Sequence, residues 1–448
     1  MNIVIVGGGE LGSMVAEQLI RENHSITVIE ISEKQSKRLN DSIEALVING
    51  DGNNVRILKQ ANIEKADLFL ALSNNDNVNI IACGLVKKLS NATTIAKVEN
   101  YMHYFPGVPN TPEDFGIDKT VATKQLSINK LVDLISEPDV MDHIHFMHEN
   151  VKVIGTTIND NFTKDSIKLK EITEDNKVWE NVRIIAVQKD NKVLIPGGED
   201  VLQPGDKLYI IGKSNSLKDV IKRYFASKVK IKSLIIIGGN RIGKEFAKRM
   251  VKEGRKVTII EEDEKICHQL TEELDNVLII NGSGLNQTIL SDLDMENAFV
   301  ACVTGKDEHN IISAVMAKRN HAYKAVCNIS NVAVSSIIHQ VKDIDSVFST
   351  ESLAFGEIIK YCRKGDILSV TPVPYIDAET IKIKISKKIS LLNKPLSSIK
   401  FPSGMIVGAI MREDEVIIPH GNDEIKLGDI VIVIVLPQSK KQVEKLFA

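Results

Sequence analysis

Short apolar runs alternate with segments of helical periodicity along residues 1–135. The first run, residues 3–6, is continuously apolar, as expected for a strand that is covered on both faces. After it, Met14, Val15 and Leu19 recur at helical spacing. Further apolar runs predict strands at residues 26–30, 45–48, 68–72 and 94–98. This alternation predicts a doubly wound parallel sheet whose ligands bind outside the carboxyl ends of the strands.

Residues 231–365 repeat this pattern together with its most distinctive residues. In each half a glycine-rich turn follows the first predicted strand, and a glutamate ends the second. The matching positions, each 231 residues apart, are Gly7 and Gly238, Gly12 and Gly243, and Glu30 and Glu261. A glycine turn alone often arises by chance, whereas a turn and a distant carboxylate that recur together indicate an internal duplication.

A second kind of module follows each half. Residues 184–211 and 407–434 share short predicted strands and Gly/Asp turns at an offset of 223, and Asp206 and Asp429 are interpreted as turn residues. We therefore predict an α/β fold with two Rossmann-like, doubly wound parallel-sheet domains, each followed by a small α/β lobe. The predicted boundaries are 1–135 and 231–365 for the sheet domains, and 150–226 and 370–448 for the small lobes.

The glycine turn of the first half has the residues that a bound phosphate requires. Gly7 permits the tight turn from strand to helix, Gly9 lets a phosphate approach the backbone, and Gly12 lets the helix pack on the strand. The positive end of the helix dipole then faces the phosphate. Glu30 can accept hydrogen bonds from both ribose hydroxyls and would repel a 2′-phosphate, which favours NAD or an adenine nucleotide over NADP. The alternative is a merely structural turn beside a solvated Glu30.

The second half departs from this pattern at one position. Asn240 replaces the middle glycine and adds a side chain where a pyrophosphate would come closest. Gly238, Gly243 and Glu261 remain, which favours a nucleotide bound as a mononucleotide or in a different pose. A turn that now serves only the fold is the alternative.

Four other residues of the first half lie where a nucleotide would border the strand ends. Ser73 and Asn74 follow the fourth predicted strand, where we expect them to contact a ligand. The alternative is that Ser73 or Asn75 only caps the next helix. Lys97 ends the fifth strand and either faces a phosphate or lies on the surface. Asp51 follows the third strand as a ligand contact or as part of an ordinary Gly-Asp-Gly turn.

Composition is that of an ordinary folded protein and argues against several classes. Hydrophobic residues make up 43% and charged residues 26%, and a net charge of -3 gives no sign of nucleic-acid binding. The apolar runs are too short for a membrane span, and no signal-peptide pattern is present. Five cysteines without a CxxC pair suit a reducing cytosol better than a zinc site or a disulfide framework. We therefore expect a cytoplasmic protein that reaches a membrane only through a partner.

His143, His145 and His148 form a compact group that raises the question of a metal site. Their spacing fits no single helical face, and no carboxylate or cysteine pattern completes a set of ligands. We interpret them as part of a polar linker and predict no metal centre.

The arrangement of motifs is far more selective than the glycine turn alone. Its elements are residues 5–12, residues 73–79 with their repeat 304–310, residues 96–98, and the strand module with its Pro-Gly-Asp turn. Over essentially the whole chain, this arrangement resembles the TrkA family of Trk potassium-uptake regulatory subunits, whose modules are called RCK or KTN N- and C-lobes. The resemblance implies a non-enzymatic cytosolic subunit that binds NAD(H), with ATP and ADP as further candidates.

The resemblance also implies an assembly and a set of contacts. Identical chains, four of them if eight sheet lobes close a ring, would lie on the inner face of the cell membrane beneath a Trk-type potassium-translocating subunit and regulate its gating. Nucleotide contacts carried over to the first half are Gly7, Gly8, Gly9, Glu10, Leu11, Glu30, Ser73, Asn74 and Lys97. Those carried over to the second half are Gly238, Gly239, Asn240, Arg241, Ile242 and Glu261. Asn328, which stands at the position of Lys97, is a further departure in the second half.

An NAD-dependent oxidoreductase is the main alternative function. It would need a His, a Lys or a Tyr–Lys pair for proton transfer beside the nicotinamide, and the histidines and tyrosines form no such constellation. A nucleotide-sensing transcriptional regulator is a second alternative, which no helix-turn-helix signal or basic face supports. The sequence leaves open which nucleotide activates or inhibits, and whether the second site is occupied.

Overall fold

The computed structural model describes residues 1–99, 111–145, 150–163, 165–173, 177–190, 192–226, 231–331, 334, 338, 343–362, 366–373, 376–387, 389–413 and 415–447. They form two compact units: the first unit, Met1–Leu131 with Ser233–Cys362, and the second unit, Val132–Lys232 with Arg363–Ala448. Within the described residues, no helix has both the length and the apolar character that a bilayer span requires.

The first half of the first unit contains a parallel six-stranded sheet. Its strands are β1 Asn2–Val6, β2 Ser25–Glu30, β3 Leu46–Asn49, β4 Leu68–Ala71, β5 Thr93–Lys97 and β6 Lys119–Val121. The order is β3-β2-β1-β4-β5-β6, with the apolar runs of β1 and β4 buried on both faces. Because the strand order reverses between β1 and β4, a ligand crevice is expected at their carboxyl ends.

Helices flank this sheet, and several begin at a side-chain cap. Those described are α1 Glu10–Arg21, α2 Glu33–Ser42, α3 Val55–Gln60, α4 Asp76–Leu89 and α5 Thr123–Ser136. Ser32, Asn54 and Asn75 cap α2, α3 and α4 through their side-chain oxygens. The turns that precede these helices therefore have a local signal in the sequence.

The chain then forms an antiparallel five-stranded sheet in the second unit. The elements of this region are β7 Asp142–His145, β8 Val151–Thr157, β9 Ile167–Lys168, α6 Leu169–Thr173, β10 Val182–Lys189, β11 Lys192–Leu194, β12 Val201–Leu202, β13 Lys207–Lys213 and α7 Ser214–Val220. The sheet order is β11-β10-β13-β8-β7, and β9 pairs separately with β12. Asp206 is a turn residue before β13, where its Oδ2 accepts a hydrogen bond from the Gln203 backbone nitrogen at 3.0 Å.

The second half of the first unit repeats the parallel sheet. Its strands are β14 Ser233–Ile237, β15 Lys256–Glu261, β16 Val277–Asn281, β17 Ala298–Cys302, β18 Lys324–Asn328 and β19 Ser346–Phe348. Its described helices are α8 Arg241–Lys252, α9 Glu264–Glu273, α10 Gln287–Ser291, α11 Asp307–Arg319 and α12 Thr350–Tyr361. The order β16-β15-β14-β17-β18-β19 matches that of the first half strand for strand.

The last segment repeats the antiparallel module in the second unit. Its elements are β20 Ile367–Pro372, β21 Glu379–Lys384, β22 Met405–Arg412, β23 Glu415–Ile417, β24 Ile430–Val435 and α13 Lys440–Leu446. The sheet order is β20-β21-β24-β22-β23. Asp429 is again a turn residue, and Arg412 also binds it with two hydrogen bonds of 2.9 and 2.8 Å.

Within the first unit, α12 packs against the half of the chain to which it does not belong by sequence. Ala354, Ile358 and Ile359 of α12 are buried in the same apolar cluster as Val15 and Leu19 of α1. The two parallel sheets are therefore joined by a shared core rather than folded as independent bodies.

The two sheets of the second unit also share a core. Tyr209 and Ile211 of β13 are buried in one cluster with Ile432 and Ile434 of β24. The fold class predicted from the sequence is confirmed, since Rossmann-like parallel sheets alternate with small lobes. The four domain boundaries stay a prediction.

Candidate nucleotide-binding site

The turn from β1 to α1 leaves no room for a side chain at two of its glycines. Gly7 has a φ of +98°, and a Cβ there would lie 2.7 Å from the Ser73 backbone nitrogen. A Cβ on Gly12 would lie 1.9 Å from the Gly7 carbonyl oxygen. The glycines thus hold α1 close to β1 and to the segment after β4, as the cradle of a nucleotide site requires.

Gly9 is the N-cap of α1 and leaves the first turn of that helix open. In the described part of the chain no side chain caps this end, and a Cβ on Gly9 would have no neighbour within 4 Å. The first N–H groups of a helix lack intrahelical acceptors and carry the positive end of its dipole. Glu10 is exposed, whereas the Leu11 side chain is buried in the core and leaves only its backbone for a ligand. The turn has the donors and the space that suit a phosphate.

Glu30 joins the end of β2 to the glycine turn. Its Oε2 accepts a hydrogen bond from the Gly8 backbone nitrogen at 2.6 Å, and its Oε1 accepts one from the Ser32 backbone nitrogen at 2.8 Å. The side chain is largely buried, with 9% of its residue surface exposed, so Glu30 is not a solvated strand end. Because each carboxylate oxygen has a second lone pair, Glu30 can still accept from ribose hydroxyls.

Asn79 fastens the end of β4 to the end of β5. Its Oδ1 accepts from the Ser73 backbone nitrogen at 3.0 Å, and its Nδ2 donates to the Ser73 and Lys97 carbonyl oxygens at 2.9 and 2.8 Å. The side chain is fully buried. Asn310 makes two of the three matching contacts in the second half, to the Thr304 backbone nitrogen and the Asn328 carbonyl oxygen. This repeated asparagine therefore shapes the floor of each crevice.

Lys97 is buried beside Asn74 rather than exposed on the surface. Its Nζ donates to Asn74 Oδ1 at 2.8 Å and lies 3.7 Å from a Glu99 carboxylate oxygen. Burial alone would raise the pKa of Glu99, but the hydrogen bond and charge of Lys124, together with Lys97, lower it below its usual value. The hydrogen bond from Lys97 orients Asn74 at the strand ends. Direct contact of Ser73, Asn74 or Lys97 with a nucleotide stays a prediction.

The second half reproduces the turn and the carboxylate. Gly238 has a φ of +111°, and a Cβ there would lie 2.7 Å from the Thr304 Cα. Glu261 Oε2 accepts from the Gly239 backbone nitrogen at 2.6 Å, and its Oε1 accepts from the Asp263 backbone nitrogen at 2.9 Å. The loop and the carboxylate therefore keep the same mutual geometry in both halves.

Asn240 changes what the N-terminus of α8 offers to a ligand. Its Oδ1 accepts from the backbone nitrogens of Ile242 and Gly243 at 2.9 and 3.2 Å, and its Nδ2 donates to the Val303 carbonyl oxygen. These are N–H groups that a phosphate would otherwise use. Arg241 begins α8, and the Ile242 side chain is buried. The second turn is therefore capped by its own chain, whereas the first is not.

A cleft of about 190 Å³ lies at the carboxyl ends of the strands in the second half. Besides the glycine turn and Glu261, its walls include Glu262, Lys306 and His309, which the sequence analysis did not single out. The Ser283 hydroxyl donates to Glu262 Oε1 at 2.5 Å, and His309 Nδ1 lies 3.8 Å from the same oxygen. The sequence signal for these residues is their position, just after a strand or in the first turn of the following helix.

Asp51, the three histidines and the five cysteines are the other residues weighed from the sequence. Asp51 Oδ1 accepts from the Asn53 backbone nitrogen at 2.9 Å, which is the geometry of a turn. The interpretation as a polar linker is wrong for His143, which is buried in β7 of the five-stranded sheet, whereas the His145 side chain and all of His148 lie outside the described residues. Among the residues the structure describes, no group of His, Cys, Asp and Glu could hold a metal ion. All five cysteines lie among the described residues, where they are buried and form no disulfide bond.

Family models match the chain in both repeats. The TrkA-N domain model matches residues 3–122 and 234–350, and the TrkA-C domain model matches residues 147–224 and 382–448. The chain belongs to the TrkA family. The resemblance drawn from the glycine turn, the strand ends and the tandem modules is thereby confirmed.

TrkA relatives match over the full length of the chain. The Trk system potassium uptake protein TrkA homolog 1 of Methanosarcina mazei is 28% identical over 457 residues, covering 100% of this chain and 100% of the relative. The Trk system potassium uptake protein TrkA of Halomonas elongata is 27% identical over 460 residues, covering 100% of this chain and 98% of the relative. The similarity to these relatives therefore extends over both halves of the chain.

Solved structures share the fold at lower sequence identity. The crystal structure of the GsuK RCK domain has a TM-score of 0.60 and 16% identity, covering 100% of this chain and 94% of that one. The structure of the GsuK channel bound to NAD has a TM-score of 0.60 and 16% identity, covering 100% of this chain and 78% of that one. At this identity the likeness shows that the TrkA chain has the RCK fold.

Proposed function

We propose that this chain is the cytosolic, nucleotide-binding regulatory subunit of a Trk-type potassium uptake transporter. The observation that carries the proposal is the first glycine turn, in which Gly7 and Gly12 admit no side chain, Gly9 leaves α1 uncapped, and Glu30 holds the loop. Full-length relatives named as Trk system potassium uptake proteins support the assignment.

The residues of the first crevice fit NAD(H) or another adenine nucleotide. The backbone of Gly8, Gly9, Glu10 and Leu11 would hold the phosphates, and Glu30 would accept from the ribose hydroxyls. The dinucleotide would supply charge and hydroxyl groups for recognition, and the subunit would not turn it over. The GsuK channel, which shares the fold, has a structure bound to NAD.

A chain of hydrogen bonds links the floor of the second crevice to helices of both halves. Asn310 Nδ2 donates to the Asn328 carbonyl oxygen at 2.8 Å, and Asn328 Nδ2 donates to Thr350 Oγ1 at 3.1 Å. The Thr350 and Ser127 hydroxyls share a hydrogen bond of 2.8 Å. Because Ser127 lies on α5 and Thr350 on α12, a shift of either helix would alter the hydrogen bonds at the floor of the second crevice.

The helices α5 and α12 also carry the chain out of the first unit. The boundary between the units falls at Leu131 within α5 and again at Cys362, just after α12. A nucleotide that binds two packings of these helices with different affinity shifts their equilibrium by that difference. In the proposed mechanism this shift is the regulatory signal to the membrane subunit.

We further propose that identical chains assemble into a ring, with four chains supplying eight sheet lobes. Ile81 on α4 and Ile312 on α11 occupy matching positions and are 50% and 47% exposed. A large apolar side chain exposed at the same place in both halves fits a contact that is repeated between copies. In such a ring, the small movements of the individual lobes would add up to a larger movement of the whole ring.

Calorimetric titration of the full chain tests the first crevice. NADH, NAD, ATP and ADP are titrated against wild type, Glu30→Ala and Glu33→Ala, a matched control on the exposed start of α2. We expect Glu30→Ala to weaken the best ligand by at least about tenfold, as for a lost charge-assisted hydrogen bond, and Glu33→Ala to behave as wild type. Unchanged binding by a folded Glu30→Ala protein would contradict the assignment of this site.

A further inference from the structure

The two halves differ in which of two matching helices begins at a side-chain cap. In the first half Gly9 leaves α1 without a side-chain cap and Asn75 caps α4. In the second half Asn240 caps α8, and the residue that matches Asn75 is Lys306, which gives α11 no side-chain cap. A lysine is a poor N-cap and its charge opposes the helix dipole, so its presence at this position calls for another role.

Lys306 lines the cleft of the second half together with two further polar residues that the first half lacks. His309 and Ser313 are on the same helix, at the positions of Val78 and Ala82. Relative to the first half, this cleft has gained a cation and hydrogen-bonding groups.

The Ser313 hydroxyl is a polar group that the protein itself does not satisfy. Ser313 is 1% exposed, lines the cleft, and its Oγ has no hydrogen-bond partner among the described residues. A buried hydroxyl without a partner is costly, so a partner supplied by a ligand is the economical explanation. The matching Ala82 presents no such group in the first half.

We propose that the second cleft is a nucleoside 5′-monophosphate site, in which Glu261 binds the ribose, Lys306 the phosphate and Ser313 the base. Asn240 excludes a pyrophosphate, because its carboxamide already bonds to Ile242, Gly243 and Val303. This inference rests on the proposed nucleotide-binding function and separates the ligands of the two crevices. The first crevice takes a dinucleotide, and the second takes a mononucleotide.

Calorimetry of the full chain in a Glu30→Ala background, in which the first crevice binds at least about tenfold more weakly, resolves the second cleft as the tighter site. The titrants are AMP, GMP, adenosine and NAD. We expect AMP or GMP to bind at least about tenfold more tightly than NAD, which corresponds to the loss of one helix cap. Asn240→Gly should remove that preference, and Lys306→Asn should weaken the monophosphates without changing adenosine. Ser313→Ala, which copies the first half, should weaken AMP and adenosine alike.

A reciprocal exchange tests Asn240 independently of the second cleft. In a Glu261→Ala background, Gly9→Asn should cap α1 and reduce the affinity of the first crevice for NAD, with Gly9→Ala as the control that adds only a Cβ. A first crevice that binds no nucleotide in this background would refute the proposed function itself.

The inference about the second cleft would be overturned by three results. The first is NAD binding as tightly as both monophosphates while Asn240 is present. The second is an Asn240→Gly protein with an unchanged preference, and the third is a Glu30→Ala protein that binds none of the four titrants. Each of these results leaves the measurement of the first crevice intact, so the two proposals fail separately.

Discussion

At the residue scale, glycines three positions apart in the first turn have opposite tolerance for a side chain. A Cβ on Gly12 would lie 1.9 Å from a backbone oxygen that cannot move without breaking the turn, whereas a Cβ on Gly9 would meet nothing within 4 Å. Gly12 therefore lacks a side chain so that the helix can pack, and Gly9 lacks one so that a ligand can reach the backbone.

We predict that Gly12→Ala lowers the free energy of unfolding by about 1–3 kcal/mol, as overpacking does, and removes nucleotide binding by the first crevice. Gly9→Ala should change the free energy of unfolding by less than about 1 kcal/mol. Denaturant unfolding with calorimetry measures both effects. Equal stability of the two variants would show that the close approach at Gly12 is not required.

Sequence alone predicted the turn but not the surroundings of its charged neighbours. Gly7, Gly12 and Glu30 were predictable, because a strand, a tight turn and a helix impose those residue types at a fixed spacing. The burial of Lys97 was not, because its partners Asn74 and Glu99 follow separate strands. For the same reason the bond from Asn240 to the Val303 carbonyl oxygen could not be predicted, whereas its two bonds to Ile242 and Gly243 are local to the start of α8.

At the element scale, α12 is the helix that joins the two halves of the first unit. Its apolar face packs on α1, and Thr350 at its start bonds to Ser127 of α5 and to Asn328 at the end of β18. Helical periodicity predicts that such a face is buried, but it does not specify which partner covers it. The sequence therefore assigned α12 to the second half without showing that it completes the core of the first.

We predict that Thr350→Val uncouples the two crevices. In wild type, saturating the second cleft should change the NAD affinity of the first by a factor within the usual range of about 5–150, and in Thr350→Val this factor should fall to about 1. Ser352→Ala, on the same turn of α12, is the matched control. Titrations of the first crevice with and without a saturated second cleft measure this factor. A factor in Thr350→Val equal to that of wild type would show that Thr350 does not couple the two crevices.

Glu351, the next residue of α12, gives the packing of this helix a dependence on pH. Burial raises the pKa of Glu351; Lys97 opposes this increase, while Glu10 and Asp307 add to it. A carboxyl group with a raised pKa in the folded state favours folding while it is protonated, and this contribution is lost as the pH rises through the folded-state value.

We therefore predict that Glu351→Gln is more stable than wild type at pH 8, and that the difference shrinks as the pH falls toward the ordinary glutamate value of 4.5. Thermal unfolding of both proteins between pH 5 and 8 measures this difference. Each pKa unit by which the folded state raises the Glu351 value corresponds to about 1.4 kcal/mol of unfolding free energy. A difference that stays constant across this range would contradict the proposed electrostatic cause.

At the scale of the whole molecule, the duplication was visible in the sequence and the joining of the halves was not. Matching glycines and carboxylates predicted two sheets, and the repeated short strands with Gly/Asp turns predicted two small lobes. The strand orders of the two parallel sheets agree. The compact units nevertheless combine parts of both halves, through cores that contain residues far apart in the chain. A repeat in sequence defines equivalent elements, but it does not define which copies pack together.

The repeated exposed isoleucines give a prediction for assembly. Ile81→Lys combined with Ile312→Lys should lower the mass of the complex measured by sedimentation, because charges would be forced into an apolar contact. Leu427→Lys, at an unrepeated position that is 56% exposed, should leave the mass unchanged. A double variant with the mass of wild type would place the contact between copies elsewhere.

Potassium flux into liposomes that contain the Trk-type membrane subunit of the same organism tests the central claim most directly. With this chain present, at least one of NADH, NAD, ATP and ADP should change the flux, and the Glu30→Ala protein should still bind the membrane subunit but lose that response. A flux that is indifferent to the chain and to every nucleotide would contradict the account, as would steady oxidation of NADH by the purified chain with an organic acceptor.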